Sequence, residues 1–440
     1  MTARTPSMSP MRTALLSALI VALGPVSLAL YTPAMPTLVE AFATDAATVK
    51  LTITLYFLGF AFAQIVCGPL SDAYGRKPIA LAFFAIYLAG SATAVAAPNI
   101  TWVLVARALQ GIGAAAGVAT SRAVVRDQYT GQASARIMNL IGLIFAIGPA
   151  VSPSIGALLL RTLGWHSIFV LMVVYGLVVV AVTIFAVSET NPNINPAAAR
   201  PKNILRSYAI LARDRTFMRF SLIMSCAFGG LYTLPALLPF VLIDRVGLTP
   251  TQYGLATLIQ TGTYAAGNLV TMQLLRRYEA VRLVPFGIAI FCAAAIIMAV
   301  LLRLYPPSLA TVIGPTALWA FGSAWIVPGA TTGALADAGS RAGAASAFMG
   351  FLQIGGGLAG TLVAALLFAD AFQALINVMP VLAIAGAVSY ALLAGGVLRR
   401  RPRRPDPRNV EIAVDPTGVV GAGGEEIEDL LHGPRKKRGE

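Results

Sequence analysis

The stretch Gly68-Pro-Leu-Ser-Asp-Ala-Tyr-Gly-Arg-Lys-Pro78 separates two apolar runs, each long enough to cross a membrane. Because these runs leave no room for a soluble domain, we predict a tight turn at a membrane surface. The turn places the carboxylate of Asp72 near two cations, Arg76 and Lys77, where two spanning helices reverse direction. Gly75 allows a backbone angle that other residues resist.

The composition of the 440 residues indicates a membrane protein. Hydrophobic residues make up 57% of the chain and charged residues only 11%, whereas a soluble chain carries about 25% charged residues. In a soluble protein, a net charge of +14 would suggest binding to nucleic acid. Here the cations lie in alternate loops, a pattern that sets membrane topology, so we expect membrane lipids and no nucleic acid as partners.

The apolar runs predict an all-α membrane protein with twelve transmembrane helices in two pseudo-symmetric six-helix bundles. The predicted spans lie near residues 12–38, 48–70, 78–97, 100–125, 136–160, 165–187, 217–243, 250–275, 281–305, 308–334, 342–368 and 372–398. The corresponding divisions are a cytoplasmic N-terminus (1–11), an N-terminal bundle (12–187), a cytoplasmic linker (188–216), a C-terminal bundle (217–398) and a disordered cytoplasmic tail (399–440).

The loop charges predict the orientation. Arg76 and Lys77 belong to the set of loops rich in Lys and Arg, whereas the opposite loops hold few cations, among them Lys50 and Arg245. Basic loops stay in the cytoplasm. Both termini are therefore predicted to be cytoplasmic.

The two halves of the sequence resemble each other at an offset of about two hundred residues. Leu30-Tyr-Thr-Pro-Ala-Met-Pro36 resembles Leu231-Tyr-Thr-Leu-Pro-Ala-Leu-Leu-Pro239, and Gly68-Pro-Leu70 recurs as Gly267-Asn-Leu269. Repeated halves of this kind build a midplane site that opens to alternate sides of the membrane. Thr271 stands in the second copy where the first has Asp72, so the two halves are not equivalent.

The fourth span contains a cation, Arg107, and three glycines, Gly111, Gly113 and Gly117. A charge inside a span costs about 3 kcal/mol and normally faces a cavity or a partner. The alternative is that Arg107 extends to the headgroups. The glycines lack the spacing and the preceding strand of a nucleotide fingerprint, and close helix packing explains them better.

Charged residues at the cytoplasmic rim predict a gate. We expect Asp72, Arg76 and Asp127 to form an ion-pair cluster that stabilises the outward-open state, and the alternative is a basic loop that only sets topology. The predicted gating residues are Asp72, Arg76, Lys77, Arg122, Arg126 and Asp127.

Polar residues and prolines within the spans suggest the transport pathway. Gly148, Pro149 and Pro153 predict a bent fifth span, because proline removes backbone hydrogen bonds; a packing kink is the alternative. The residues predicted to line the substrate or proton pathway are Tyr31, Arg107, Gln110, Gln260, Tyr264 and Gln353. For each neutral residue among them, an interhelical hydrogen bond is the alternative.

The stretch 68–78 resembles the signature loop of the major facilitator superfamily, G-x-L-x-D-x-x-G-R-K, at every fixed position. Further motifs resemble the Bcr/CflA drug-resistance transporters of that superfamily. They are Tyr31 with Pro33 and Pro36, Arg107-Ala-Leu-Gln-Gly, Ser121-Arg-Ala-Val-Val-Arg-Asp127, the Pro149 and Pro153 pair, Gly164-Trp-His-Ser-Ile-Phe169 and Glu189-Thr190. The resemblance implies a drug:proton antiporter of the bacterial inner membrane, with Arg107 tied to proton coupling and the bent fifth span to antiport.

The sequence departs from that family at one position. The family pattern Asp-x-Tyr-x-Pro in the first span has Ala29 in place of the acid, and none of the first six predicted spans contains Asp or Glu. A buried carboxylate is the usual proton carrier. Either Asp72 or Asp127 carries the proton near the surface, or coupling is weak or absent.

The main functional prediction is a secondary active multidrug exporter, a monomer that gives antibiotic resistance by exchanging small amphipathic compounds for protons. The alternative is an uncoupled or weakly coupled exporter or facilitator of a single endogenous metabolite, such as a sugar or amino-acid derivative. A sensor with residues 405–440 as its output is a third hypothesis. The sequence contains no nucleophile–histidine set, metal-ligand cluster or phosphate loop, so we predict neither an enzyme nor a cofactor or metal.

Overall fold

A computed structural model of the chain describes residues 8–129, 131–191, 194, 196, 200–336 and 342–396. The side chains at 122, 126, 131–136, 138–140, 142–147, 203, 342, 395 and 396 are outside the description. These residues belong to one compact unit, Met1–Gly396, while Val397–Glu440 forms a second unit that is not described. The predictions for the tail therefore lie outside the described residues.

The described chain consists of helices joined by short turns. In order they are α1 (Pro10–Tyr31), α2 (Met35–Ala41), α3 (Ala46–Tyr74), α4 (Arg76–Val95), α5 (Ile100–Gln128), α6 (Gly131–Leu163), α7 (His166–Phe185), α8 (Pro201–Arg213), α9 (Arg215–Pro239), α10 (Pro250–Leu274), α11 (Ala280–Leu304), α12 (Leu309–Leu335), α13 (Ala342–Leu367) and α14 (Ala371–Leu392). A 3₁₀ turn, Thr32–Ala34, joins α1 to α2, and a π-helical turn, Phe240–Arg245, extends α9.

Side chains that suit helix starts define several of these boundaries. Ser9 precedes Pro10 at the start of α1, and the carboxylate of Asp45 accepts a hydrogen bond of 2.8 Å from the amide of Thr48 in the first turn of α3. Thr249 and Gln252 form a reciprocal capping box at the start of α10. Each of these residues satisfies an amide that has no partner within its helix.

The helices follow the order predicted for the twelve spans, with α1 and α2 together forming the first. Among the described residues, ten segments are long and apolar enough to cross a membrane, and α6 and α10 are not among them. The all-helical membrane fold is therefore confirmed, whereas hydropathy supports ten of the twelve spans. The two predicted six-helix bundles correspond to α1–α7 and α9–α14 and remain an assignment from the sequence.

Helix α5 is the central element of the first half. A Cβ at Gly111 would lie 2.0 Å from the carbonyl oxygen of Tyr56 in α3, and one at Gly117 would lie 2.5 Å from the carbonyl oxygen of Ile20 in α1. These distances confirm that the glycines of α5 serve close helix packing. Because α5 is held so tightly, the polar residues that it carries have fixed positions.

The two halves contact each other through α3 with α13 and through α6 with α10. Helix α8, in the linker between the halves, was not predicted. It lies against the first contact: the hydroxyl of Tyr208 donates a hydrogen bond of 3.1 Å to the carbonyl oxygen of Ile65 in α3, and the Tyr208 ring stacks on Phe348 of α13. The linker therefore has its own ordered element at the junction of the halves.

Candidate functional site

The signature stretch is mostly helical in the structure. Helix α3 continues through Gly68 to Tyr74, and Gly75 alone separates it from α4. The φ of Gly75 is +103°, in the region that favours glycine, and a Cβ there would also lie 2.8 Å from Oε2 of Glu189. The predicted turn is thus a reversal at one residue, where the positive φ favours glycine. We call the end of the helices that holds Gly75 the signature end.

Arg76 joins the charged side chains at the signature end. Its guanidinium forms an ion pair with Asp72, donates from Nε to Oδ2 of Asp127 at 2.9 Å, and donates from Nη1 to the hydroxyl of Ser71 at 2.8 Å. The Arg76 and Asp127 side chains are 5% and 9% exposed, whereas that of Asp72 is 45% exposed. The structure therefore brings together the three residues of the predicted cluster, with one half-exposed carboxylate and one buried carboxylate on the same cation.

Glu189, in the segment after α7, completes this cluster and was not predicted to act here. Its Oε1 accepts a hydrogen bond of 3.0 Å from the Arg76 amide, and its Oε2 accepts one of 3.0 Å from the Lys77 amide. An anion at a helix N-terminus satisfies unpaired amides and the helix dipole. The sequence signal was the Glu189-Thr190 pair, whose neighbour Asn191 donates to the carbonyl oxygen of Asp72 at 3.0 Å.

The remaining predicted gating residues have different positions. The Nζ of Lys77 donates to the carbonyl oxygen of Ile184 at 2.7 Å, which ties the start of α4 to the end of α7. The side chains of Arg122 and Arg126 lie outside the described part of the chain, although their backbone belongs to α5. A gating role for any of these residues remains a prediction.

Arg107 is completely buried in the first half. Its guanidinium carbon lies 4.7 Å from the ring centre of Tyr31 and 4.4 Å from that of Tyr56. Its Nη1 donates to Oε1 of Gln110 at 2.7 Å, while Nε and Nη2 have no hydrogen-bond partner. Arg107 therefore does not extend to the headgroups, and two of its three guanidinium nitrogens are buried without a hydrogen-bond partner. Its place in a pathway remains a prediction.

Gln110 is buried beside Arg107, where it joins three helices. Its Nε2 donates to the hydroxyl of Ser91 in α4 at 2.9 Å and contacts Sδ of Met172 in α7 at 3.5 Å. The hydroxyls of Tyr31 and Thr52 are 2.8 Å apart. The interhelical hydrogen bonds that were the alternative are therefore present for Tyr31 and Gln110. A pathway role for either residue remains a prediction.

The other predicted pathway residues lie apart from Arg107 along the chain. Gln353 in α13 donates from Nε2 to the hydroxyl of Tyr232 at 3.4 Å. Gln260 and Tyr264 are half-buried residues one turn apart in α10. Their place in a pathway remains a prediction.

Helix α6 runs without interruption through Pro149 and Pro153. The hydroxyl of Ser152 donates to the carbonyl oxygen of Gly148 at 2.6 Å, and a Cβ at Gly148 would lie 2.8 Å from Val26 of α1. Close contact with α1 thus accounts for Gly148. The bending role of the prolines stays a prediction.

Lys50 was predicted only as one of the few cations opposite the signature end, and it has a more specific position. Its side chain is completely buried in α3, and Nζ donates to the carbonyl oxygens of Ala364, Phe368 and Ala369 at 3.2, 2.7 and 3.4 Å. These carbonyls are at the C-terminal end of α13, where a cation is favourable. Lys50 therefore joins the two halves at the end opposite the signature turn.

Asp45 and Tyr208, which lie outside the membrane-spanning segments, have shifted pKa values. Hydrogen bonds from Thr48 hold the pKa of Asp45 below its ordinary value, which suits its position before the first turn of α3. Burial against α3 and α13 raises the pKa of Tyr208 to about 12. Within the described ranges, no three His, Cys, Asp or Glu side chains cluster as metal ligands do.

Residues 17–249 match the family profile described as Major Facilitator Superfamily. The chain belongs to this superfamily. Among relatives of this major facilitator, an uncharacterized transporter of the same type from Bacillus subtilis, YdgK, is 28% identical over 78% of this chain and 85% of its own length. A bicyclomycin resistance protein homolog from Haemophilus influenzae is 26% identical over 86% and 95%, and the multidrug resistance protein MdtL of Escherichia coli is 25% identical over 86% and 94%.

A solved structure shares the fold of this major facilitator. The human organic anion transporter MFSD10 superimposes with a TM-score of 0.64 at 18% identity, over 88% of this chain and all of that one. Together with the apolar helices, these similarities identify a multi-pass membrane transporter of small molecules, not an enzyme. The predicted fold and family resemblance are confirmed.

Proposed function

We propose that this chain is a secondary active exporter of small amphipathic compounds, including antibiotics, that works by alternating access and drug:proton antiport. The relatives named for bicyclomycin and multidrug resistance, which align with 86% of the chain, support the substrate class. The bacterial origin of these relatives supports a location in the bacterial inner membrane, and the loop charges support an orientation with the signature end in the cytoplasm. We propose that it acts as a monomer among membrane lipids.

The observation that carries this proposal is the cation shared between two carboxylates at the signature end. Arg76 contacts both Asp72 and Asp127 and lies at the turn between α3 and α4. Because α3 is also the helix that contacts α13 of the other half, a change of charge in the cluster can alter the contact between the halves. A proton on Asp72 or Asp127 weakens its hold on Arg76 and thereby couples protonation to alternating access.

The test is proton release from the purified full chain in liposomes on addition of chloramphenicol-like and bicyclomycin-like compounds. Release that accompanies binding, and that is lost in Asp72→Asn, is the expected result. Binding or flux without proton release would contradict antiport but leave the exporter assignment intact. If neither these compounds nor charged compounds of similar size bind or move, the exporter assignment itself is wrong.

A second candidate function is an uncoupled or weakly coupled exporter or facilitator of a single endogenous metabolite. The surroundings of Arg107 favour it. In the described part of the chain, no ion pair includes Arg107, and Ala29 stands where the resembling family has an acid. A transporter without a carboxylate in the membrane lacks the usual proton carrier.

A further inference from the structure

One edge of the Arg107 guanidinium has two buried donors without a hydrogen-bond partner. Nη1 is occupied by Gln110, whose amide nitrogen is in turn held by Ser91. The two unpartnered donors, Nε and Nη2, lie side by side on one edge of the planar guanidinium. Two parallel N–H groups on one edge match the two oxygens of a carboxylate and favour bidentate binding.

The surroundings of Arg107 hold this edge in a fixed orientation. The hydroxyl of Tyr56 donates to the carbonyl oxygen of Gly24 at 2.9 Å, and Tyr31 is held by Thr52. The two rings contact the guanidinium through their faces and attract its positive charge. They leave the donors on its edge without an acceptor, so the rings orient the cation but do not satisfy it.

The sequence supplies no acid to complete this site. None of the twelve predicted spans contains Asp or Glu. A buried charge with unsatisfied donors is unfavourable unless a partner neutralises it. Since the chain provides no such partner within its spans, the complementary charge has to come from the transported compound.

We infer that the compounds carried by this transporter are organic acids whose carboxylate binds Nε and Nη2 of Arg107. This inference rests on the proposed export of small compounds and specifies their charge. It also removes the need for a membrane carboxylate. An anion leaving a cell with a negative interior moves down the electrical gradient, and 100 mV supports a concentration ratio of about 50-fold for one charge.

The binding test compares compounds of one skeleton that differ only in charge: 1-naphthoate, its uncharged amide 1-naphthamide and the cation 1-naphthylmethylammonium. Thermal unfolding of the purified full chain is measured with each at millimolar concentration. We expect stabilisation by the carboxylate alone. Equal stabilisation by the amide or the cation, or none by the carboxylate, overturns the inference without any variant.

Two variants assign the effect to Arg107. Arg107→Gln is expected to weaken carboxylate binding about 10- to 100-fold, and Arg107→Lys, which keeps the charge but not the edge, to weaken it less. The matched control is Arg219→Gln, because Arg219 also stacks on an aromatic ring, that of Tyr390, but its Nε donates to a carbonyl oxygen. Carboxylate binding that survives in Arg107→Gln contradicts the inference.

Flux separates this inference from the proposed function. In liposomes with an imposed potassium-diffusion potential, outward movement of 1-naphthoate should increase with the potential. Flux of uncharged antibiotics at the same rate would contradict the inference that the carried compounds are anions, while the exporter proposal would stand. Carboxylate binding without flux of any compound would contradict the exporter proposal, while the inferred anion site at Arg107 would stand.

Discussion

Arg76 has two carboxylate partners whose exposure differs fivefold, 45% for Asp72 and 9% for Asp127. An exposed ion pair contributes at most about 1 kcal/mol to stability. Loss of the partner of a buried charge costs about 3 kcal/mol or more. Loss of the Asp127 carboxylate is therefore expected to destabilise the protein more than loss of the Asp72 carboxylate, although both contact the same guanidinium.

This difference gives a prediction for single substitutions. Asp72→Asn should lower transport up to about fivefold, because a bias of about 1 kcal/mol between two states is about fivefold in their ratio, while membrane protein levels remain normal. Asp127→Asn should lower both transport and protein levels. Transport per cell and quantitative immunoblots measure the two effects. Normal transport by Asp72→Asn would show that the cluster is not a gate.

At the scale of elements, α3 holds a charged contact near each end. Near its beginning Lys50 donates to the last carbonyls of α13, and near its end Asp72 pairs with Arg76. The first contact joins the two halves, whereas the second lies within one half. Helix α3 is thus fixed to the other half at the end opposite the signature turn.

Removal of the Lys50 charge should open that end. Lys50→Met keeps the apolar stem and loses charge-assisted hydrogen bonds that contribute about 1.5–3 kcal/mol. We therefore expect water-soluble reagents to reach α3 from that end at least about tenfold faster. The reporter is Thr54→Cys, one turn deeper in α3, whose modification by a membrane-impermeant maleimide is followed with time. Lys50→Arg should restore slow labelling.

Arg245→Met is the matched control for that experiment. The Arg245–Asp370 ion pair is at the same end and measures 2.7 Å, but both side chains are 46% exposed and both belong to the second half. Its loss should leave the labelling rate unchanged. Equal acceleration by both substitutions would show that general loosening, not the contact between halves, controls access.

At the scale of the whole molecule, the sequence repeat corresponds to a repeat of close contacts. A Cβ at Gly156 of α6 would lie 2.2 Å from the carbonyl oxygen of Leu30 in α1. Two hundred residues later, a Cβ at Gly356 of α13 would lie 2.1 Å from the carbonyl oxygen of Ser225 in α9. Each half therefore fixes the helix that it presents to the other half in the same way.

A wedge between the halves should block their movement. A Cβ at Gly254 of α10 would lie 2.9 Å from the backbone of Ser154 in α6, so Gly254→Val forces this contact apart. We expect a loss of transport of at least about tenfold with protein at normal levels. Gly262→Val on the same helix is the control, since its Cβ would meet nothing within 4 Å and transport should persist. Equal loss in both would indicate a helix-propensity effect.

Local pattern predicted much of this molecule, and contacts distant in sequence account for what it missed. Apolar runs, the Gly75 turn and the glycines of α5 are properties of short segments, so the helices and their close packing followed from sequence. Glu189 and Lys50 were missed because their partners are more than a hundred residues away. Helix α8 was missed because polar residues mask its short buried face, which includes Tyr208 and Leu211.

The position of Glu189 determines where this chain tolerates a cut. Although it follows α7 and lies at the start of the linker, it supplies the anion that α4 needs at its first two amides. If the chain is cut after Asn191, the first fragment contains both α4 and Glu189, and the signature turn keeps its carboxylate. If the chain is cut after residue 187, Glu189 belongs to the second fragment. Co-expression of these two fragments then has to restore the start of α4 as well as the contact between the fragments.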